Sequence, residues 1–192
     1  VTSEAVGSPP PAPKGRGGKI IWWVVGLVLV VGMVSLAMME ANKVGAVPPQ
    51  ASAAPALQLR RHGGGTMALS DLKGQVVMLD FWATWCPPCK AEMPTLIKLA
   101  REYEAQGLAF VAVSQDEDDV AEELVGHYLR SERPELAPYI VYGGDAIAQE
   151  FKVEALPTLY FLDRDGKVLN VHRGMMDEDE MRRNIETALK KQ

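Results

Sequence analysis

Phe81-Trp82-Ala83-Thr84-Trp85-Cys86-Pro87-Pro88-Cys89-Lys90 holds both cysteines of this 192-residue chain. The run follows the apolar segment Val76-Val77-Met78-Leu79-Asp80 and precedes Met93, Leu96, Ile97, Ala100 and Tyr103, which recur at helical spacing. Cys86 and Cys89 therefore sit where a buried strand hands over to a helix. Residues three apart on a helix share a face, with Cβ atoms roughly 5–6 Å apart, so a slightly tightened first turn lets the two sulfurs bond. Unpaired N–H groups at the positive end of the helix favour a thiolate at Cys86, which makes it the expected attacking sulfur and Cys89 the resolving one.

Other uses of such a pair fit less well. Structural zinc needs about four ligands, whereas the chain has no second cysteine pair and its histidines, His62, His127 and His172, are scattered. Covalent haem attachment needs His directly after the second cysteine, and here Lys90 follows. A purely structural disulfide stabilises mainly by closing a long loop, which this pair does not. No metal or organic cofactor is expected. The alternative from another class is a copper-handling or redox-regulated binding module, with His172 as third ligand beside the two sulfurs.

Outward from the cysteines the pattern is α/β. Leu57–Arg61 and Thr66–Leu69 flank Gly63-Gly64-Gly65 as a candidate hairpin, and Val76–Phe81 reads as a buried central strand ending its apolar run at Asp80. A helix is predicted from about Cys86 to Glu104, with Pro94 inside it as a kink. Leu108–Ser114 is a second central strand, parallel to the first because a helix separates them. Val120, Leu124, Val125 and Tyr128 mark another helix, Tyr139–Tyr142 a short strand and Ala146–Phe151 a short helix. Thr158–Leu162 and Lys167–Arg173 form a hairpin across Asp163-Arg164-Asp165-Gly166. Asp177 and Glu180 resemble a capping box for a last helix whose Met181, Ile185 and Leu189 face inward. Asp116-Glu117-Asp118-Asp119 reads as a solvated helix start rather than a metal site. No internal repeat and no Gly-rich phosphate loop is present.

Several separated features together resemble the thioredoxin superfamily, and within it the membrane-anchored TlpA/ResA/DsbE (CcmG) type. They are Leu69-Ser70-Asp71-Leu72-Lys73-Gly74, the Phe-Trp-Ala-Thr-Trp-Cys-Pro-Pro-Cys run, Pro94 and Leu156-Pro157-Thr158. The resemblance covers roughly Leu57 to Gln192. It implies a thioredoxin-like fold: a central mixed β-sheet flanked by helices, with an N-terminal hairpin and a central strand–helix insert, preceded by one transmembrane helix. It implies thiol–disulfide exchange on protein substrates, with a cis Pro157 packed on the disulfide and with Trp85, Pro87, Pro88 and Leu156 beside it where client chains bind. Asp80 matches the buried acid that thioredoxins use to relay a proton to the second cysteine, where many TlpA-like proteins are Asn-like. Glu92 matches an acid that ResA-type proteins hold near the thiols. Copper chaperones that resemble this domain usually have one more residue between their cysteines. The resemblance also implies reduction as the physiological direction, serving cytochrome c maturation or a related target, with electrons from a membrane thiol protein. Pro87-Pro88 removes two backbone donors near the sulfurs, which leans the same way.

Composition changes sharply before the domain. Residues 1–19 are rich in Pro, Gly and Ser without apolar periodicity, as in a disordered tail. Ile20–Met39 is an uncharged 20-residue run, long enough as a helix to cross the roughly 30 Å hydrocarbon layer of a bilayer. Lys14, Arg16 and Lys19 precede it, so the tail is expected in the cytoplasm and the domain outside the bacterial inner membrane, in the periplasm or its equivalent. Residues 40–56, rich in Pro and Ala, are the expected tether, and residues 57–192 the domain. The apolar run is longer than a usual signal-peptide core, which favours a retained anchor over cleavage near Ala51-Ser52-Ala53-Ala54. A net charge of −5, with most acids in the domain, disfavours nucleic acid as a partner.

Overall fold

The computed structural model describes residue 23, residues 26–33 and residues 58–191. The chain divides into two units, Val1–Ala46 and Val47–Gln192. In the first, Trp23 and residues 26–33 are helical, with Leu27, Val28, Leu29, Val30, Val31 and Met33 exposed. Among the described residues no helix is long and apolar enough to cross a membrane. The whole of the expected tail (1–19) and of the tether (40–56), and residues 20–22, 24–25 and 34–39 of the apolar run, lie outside the described residues.

The second unit is built on one mixed sheet of order β2-β1-β5-β4-β3-β6-β7. Its centre is β3 (Val76–Trp82), seven buried residues in a row, as a strand covered on both faces requires. β4 (Leu108–Ser114) lies parallel to it, with Val76 opposite Leu108 and Trp82 opposite Ser114. β5 (Ile140–Tyr142) extends the parallel part beside β4. On the other side β6 (Thr158–Leu162) runs antiparallel to β3, and β7 (Val168–Arg173) antiparallel to β6. The N-terminal hairpin, β1 (Gln58–Arg61) with β2 (Thr66–Ala68), joins the sheet through β5.

Four helices cover the sheet: α1 (Pro87–Tyr103), α2 (Ala121–Ser131), α3 (Gly144–Glu150) and α4 (Glu178–Lys190). Strand alternation divides the core into two. Val76, Met78 and Trp82 pack with Met93, Leu96 and Leu99 of α1 and with Met181 and Ile185 of α4. Val77, Leu79 and Phe81 pack on the opposite face with Ile147 and Phe151. There the Phe81, Phe151 and Tyr160 rings meet with centroids 5.0–5.8 Å apart. α1 runs through Pro94 without ending. Its 3-10 extension stops at Gly107, whose φ of 94° suits glycine and turns the chain straight into β4.

Two expectations need correction here. The strand predicted over Val76–Phe81 runs one residue further, to Trp82, so Asp80, read as closing its apolar run, lies inside the sheet on the face of Met78 and Trp82. The acidic run after β4 is not uniformly solvated either. Glu117, Asp118 and Asp119 are exposed, whereas Asp116 is buried. At the other end of the domain Asp177 caps α4, accepting the Glu180 N–H at 2.9 Å. Asp177→Ala should cost about 1 kcal/mol of stability. That loss would be read as a lower urea midpoint at unchanged slope.

Candidate active site

The chain leaves β3 at Trp82 and reaches α1 through a single turn, Ala83-Thr84-Trp85, in which the Cys86 N–H donates to the Ala83 carbonyl at 3.1 Å. Cys86 is extended (φ −99°, ψ 100°) and caps α1, its Sγ accepting the Cys89 N–H at 3.3 Å. The two sulfurs are bonded at 1.97 Å, with Cα atoms 5.3 Å apart. Pro87 and Pro88 fill the first two helical positions and have no N–H. The donor offered to the Cys86 sulfur in this first turn is therefore that of Cys89.

Exposure hardly distinguishes the cysteines: Cys86 is 4% and Cys89 1% exposed. What separates them is direction. Cys86 lines an open cleft of about 490 Å³, together with Trp85, Pro87, Pro88, Ala155 and Leu156, and Cys89 does not. Trp85 stands 64% exposed at its edge. The Leu156–Pro157 peptide is cis. Pro157 is buried, its carbonyl accepting the Gly174 N–H at 2.8 Å, whereas Leu156 reaches the cleft wall. Gln115, Asp145 and Glu154 complete the lining.

On the sheet face below α1, Asp80 is 1% exposed, and neither carboxyl oxygen has a partner among the described residues. Burial holds this carboxyl well above the ordinary carboxylate range, and the negative charge of Glu92 pushes it the same way. Glu92, on the buried face of α1, accepts the Met176 N–H at 3.0 Å. Burial raises its carboxyl too, while that hydrogen bond and His172 pull it partly back. His172 Nε2 lies 3.1 Å from the Met175 carbonyl oxygen. The copper alternative is not supported: the sulfurs are bonded to each other, and no group of three or more metal-capable side chains occurs among the described residues.

The structure thus gathers Trp85, Cys86, Pro87, Pro88 and Leu156 on one cleft, with Cys89 and Pro157 buried, Glu92 on the inner face of α1 and Asp80 on the sheet face that α1 covers. Two contributors were missed. Met176 supplies the N–H that Glu92 uses, from 84 positions away. Asp116 is tied to Thr84 in the turn before Cys86. A signal for Asp116 existed: β3 and β4 are parallel, so the residues just past β4 come to lie beside the loop just past β3. That carboxyl end is where open α/β sheets place their sites.

The Redoxin family model matches residues 49–189. Thiol-disulfide oxidoreductase ResA of Oceanobacillus iheyensis is 37% identical over 133 residues, 67% of this chain and 67% of that protein. Thioredoxin-like protein YneN of Bacillus subtilis is 36% identical over 133 residues, 69% of this chain and 76% of that protein. A crystal structure described as thiol:disulfide interchange protein DsbE from Chlorobium tepidum superposes with a TM-score of 0.63 at 30% identity, covering 74% of this chain and 99% of that one. With a bonded Cys86–Cys89 pair at the head of α1, the chain belongs to the Redoxin family, as a thioredoxin-superfamily thiol–disulfide oxidoreductase of the ResA/DsbE type.

Proposed function

We propose that this oxidoreductase reduces protein disulfides outside the inner membrane, with cytochrome c maturation or a related process as its setting. The observation that carries the reading is the Cys86–Cys89 disulfide opening on a cleft through Cys86 and not Cys89; a buried acid without partners, Asp80, on the sheet face that α1 covers supports it. In the dithiol form the Cys89 N–H and the helix end favour a Cys86 thiolate. That thiolate attacks a client disulfide: a Cys86–client bond forms, and the client's other sulfur leaves as a thiolate. Cys89 then attacks the Cys86 sulfur, closing the disulfide seen here and releasing the reduced client. Two electrons pass to the client. The pair is restored by two electrons from a membrane thiol protein.

Asp80 is the proton acceptor for the second step. Its raised carboxyl exchanges protons nearer neutral pH than an ordinary acid does, as resolution by Cys89 demands. Trp85, Pro87, Pro88 and Leu156 form the walls against which the client chain lies, and Pro157 fixes the wall from behind.

Glu92 tunes Asp80 from the side. Glu92→Gln keeps an oxygen for the Met176 N–H but removes the charge that raises Asp80, so the pH at which resolution accelerates should move downward. We expect a resolution rate within about tenfold of wild type, against a loss of about 10²-fold for Asp80→Asn. Rapid-mixing measurement of mixed-disulfide decay across pH checks both, and the opposite ranking would give the relay to Glu92.

The location reading rests on the charges of Lys14, Arg16 and Lys19 ahead of Ile20–Met39. In it residues 1–19 are cytoplasmic, 20–39 the anchor, 40–56 the tether and 57–192 the exported domain. A periplasm-specific reporter fused after Gly45 should be active, and one fused before Ile20 silent. Cytoplasmic behaviour of the Gly45 fusion would reverse the topology.

A further inference from the structure

We propose that Asp116 is a positioning residue for the exchange reaction, its buried carboxyl clasping Thr84 and thereby setting the turn that presents Cys86 Sγ to the cleft. The inference rests on the reading of Cys86 as the attacking sulfur.

Asp116 is 2% exposed, and its oxygens are fully engaged. One oxygen accepts the Thr84 hydroxyl at 2.6 Å and the Thr84 N–H at 3.2 Å. The other accepts the Ser114 hydroxyl at 2.9 Å and shares the Thr84 N–H at 3.2 Å. Ser114 Oγ in turn receives the Asp116 N–H at 3.2 Å. Between them the Gln115 N–H donates to the Trp82 carbonyl at 2.8 Å, carrying the β3–β4 ladder to the edge of the site. The rigid sheet therefore reaches Thr84 by way of Asp116. From Thr84 only Trp85 intervenes before Cys86, and its exposed ring is not packed in the core.

Two of the domain's buried acids, Asp80 and Asp116, contrast along this line. Asp80 has no partner, which suits a group that must gain and lose a proton. Asp116 accepts from three donors, the pattern of an acceptor-only carboxylate held still. A buried, fully bonded acid is weak evidence for stability, since an apolar side chain of similar size often serves the fold as well or better. What an apolar replacement could not supply is the hold on both polar groups of Thr84. Small displacements of a reacting group cost rate steeply. The turn that Asp116 fixes is the one that aims Cys86.

The test uses the full chain in detergent with Cys89→Ser, so that capture of Cys86 by a disulfide reagent reports the attack step alone. Asp116→Ala should slow capture about 10- to 100-fold in a protein whose circular dichroism is unchanged. Asp116→Asn should return to within a few-fold, because its amide oxygen can accept both Thr84 donors while its NH₂ donates to Ser114 Oγ. Thr84→Val, which keeps the N–H but loses the hydroxyl, should fall between. Capture at the wild-type rate in Asp116→Ala overturns the proposal, and so does Asp116→Asn reacting as slowly as Asp116→Ala, since charge rather than position would then be the cause. If Asp116→Ala does not fold, Asp116→Asn and Thr84→Val decide: a wild-type rate in Thr84→Val, or a slow Asp116→Asn, overturns it. The underlying reading fails separately, by trapping in Cys86→Ser rather than in Cys89→Ser.

Discussion

Cys89→Ser should accumulate covalent adducts with client proteins, whereas Cys86→Ser should form none and should lose turnover to the uncatalysed background. The asymmetry follows from direction more than from exposure. Both sulfurs are nearly buried, yet Cys86 faces the cleft, accepts the Cys89 N–H and occupies the capping position, while Cys89 points into the packed face of α1. In the proposed reading a client sulfur reaches the first, which lines the cleft, and not the second. With Cys89 absent the mixed disulfide has no internal attacker and persists. With Cys86 absent the remaining thiol is shut away. Alkylation followed by electrophoresis without reductant reads both variants. Adducts of equal yield from the two would contradict the assignment.

Asp80 should trade stability for activity. Asp80→Leu keeps the γ-branch and removes two buried oxygens without partners, and should stabilise the domain by about 1–3 kcal/mol. The gain should depend on pH with a definite sign. Below the ordinary carboxyl value of 3.8 the group is protonated in folded and unfolded chains alike, and ionisation contributes no difference. As pH rises above that value the unfolded chain ionises while the folded one keeps its proton. Wild-type stability is therefore lost progressively until pH passes the raised folded value. The variant lacks this loss, so its advantage should be smallest in acid and grow on approach to neutrality. The same substitution should slow resolution of the mixed disulfide by about 10²-fold. Urea titrations at several pH values, paired with mixed-disulfide decay, check the two halves. A destabilised variant would contradict the account of Asp80 as a buried acid without partners.

The elements that decide the fold were legible where apolar runs were continuous. Leu108–Ser114 is β4 to the residue, and Thr158–Leu162 is β6, because buried strands need no alternation to be seen. Helical spacing located α2 but not which of its apolar residues are covered: Val125 and Tyr128 are buried, whereas Leu124 is 41% exposed and Val120, just before the helix, 37%. Periodicity establishes that a stripe exists, and tertiary packing chooses which part is covered. Asp80 looked like a strand end because charge interrupts an apolar run, yet β3 tolerates it inside the sheet. Asp116 looked solvated because acidic runs usually are. Its burial comes from hydrogen bonds to Thr84, 32 positions earlier, a pairing that only the parallel crossover brings together. The cysteine pair needed no such help, since its spacing after an apolar strand states the chemistry locally, whereas the cis Pro157 was implied by the family resemblance and not by local pattern.

The equilibrium potential of the Cys86–Cys89 pair, measured on the full chain against thioredoxin and glutathione buffers, tests the reductant reading most directly. We expect a value nearer that of thioredoxin, about −270 mV, than that of the oxidant DsbA, about −120 mV. In cells this would leave the pair mostly as dithiol. A value near the oxidant end, with rapid donation of disulfides to reduced unfolded proteins, would contradict it and reverse the direction of electron flow through the same two sulfurs.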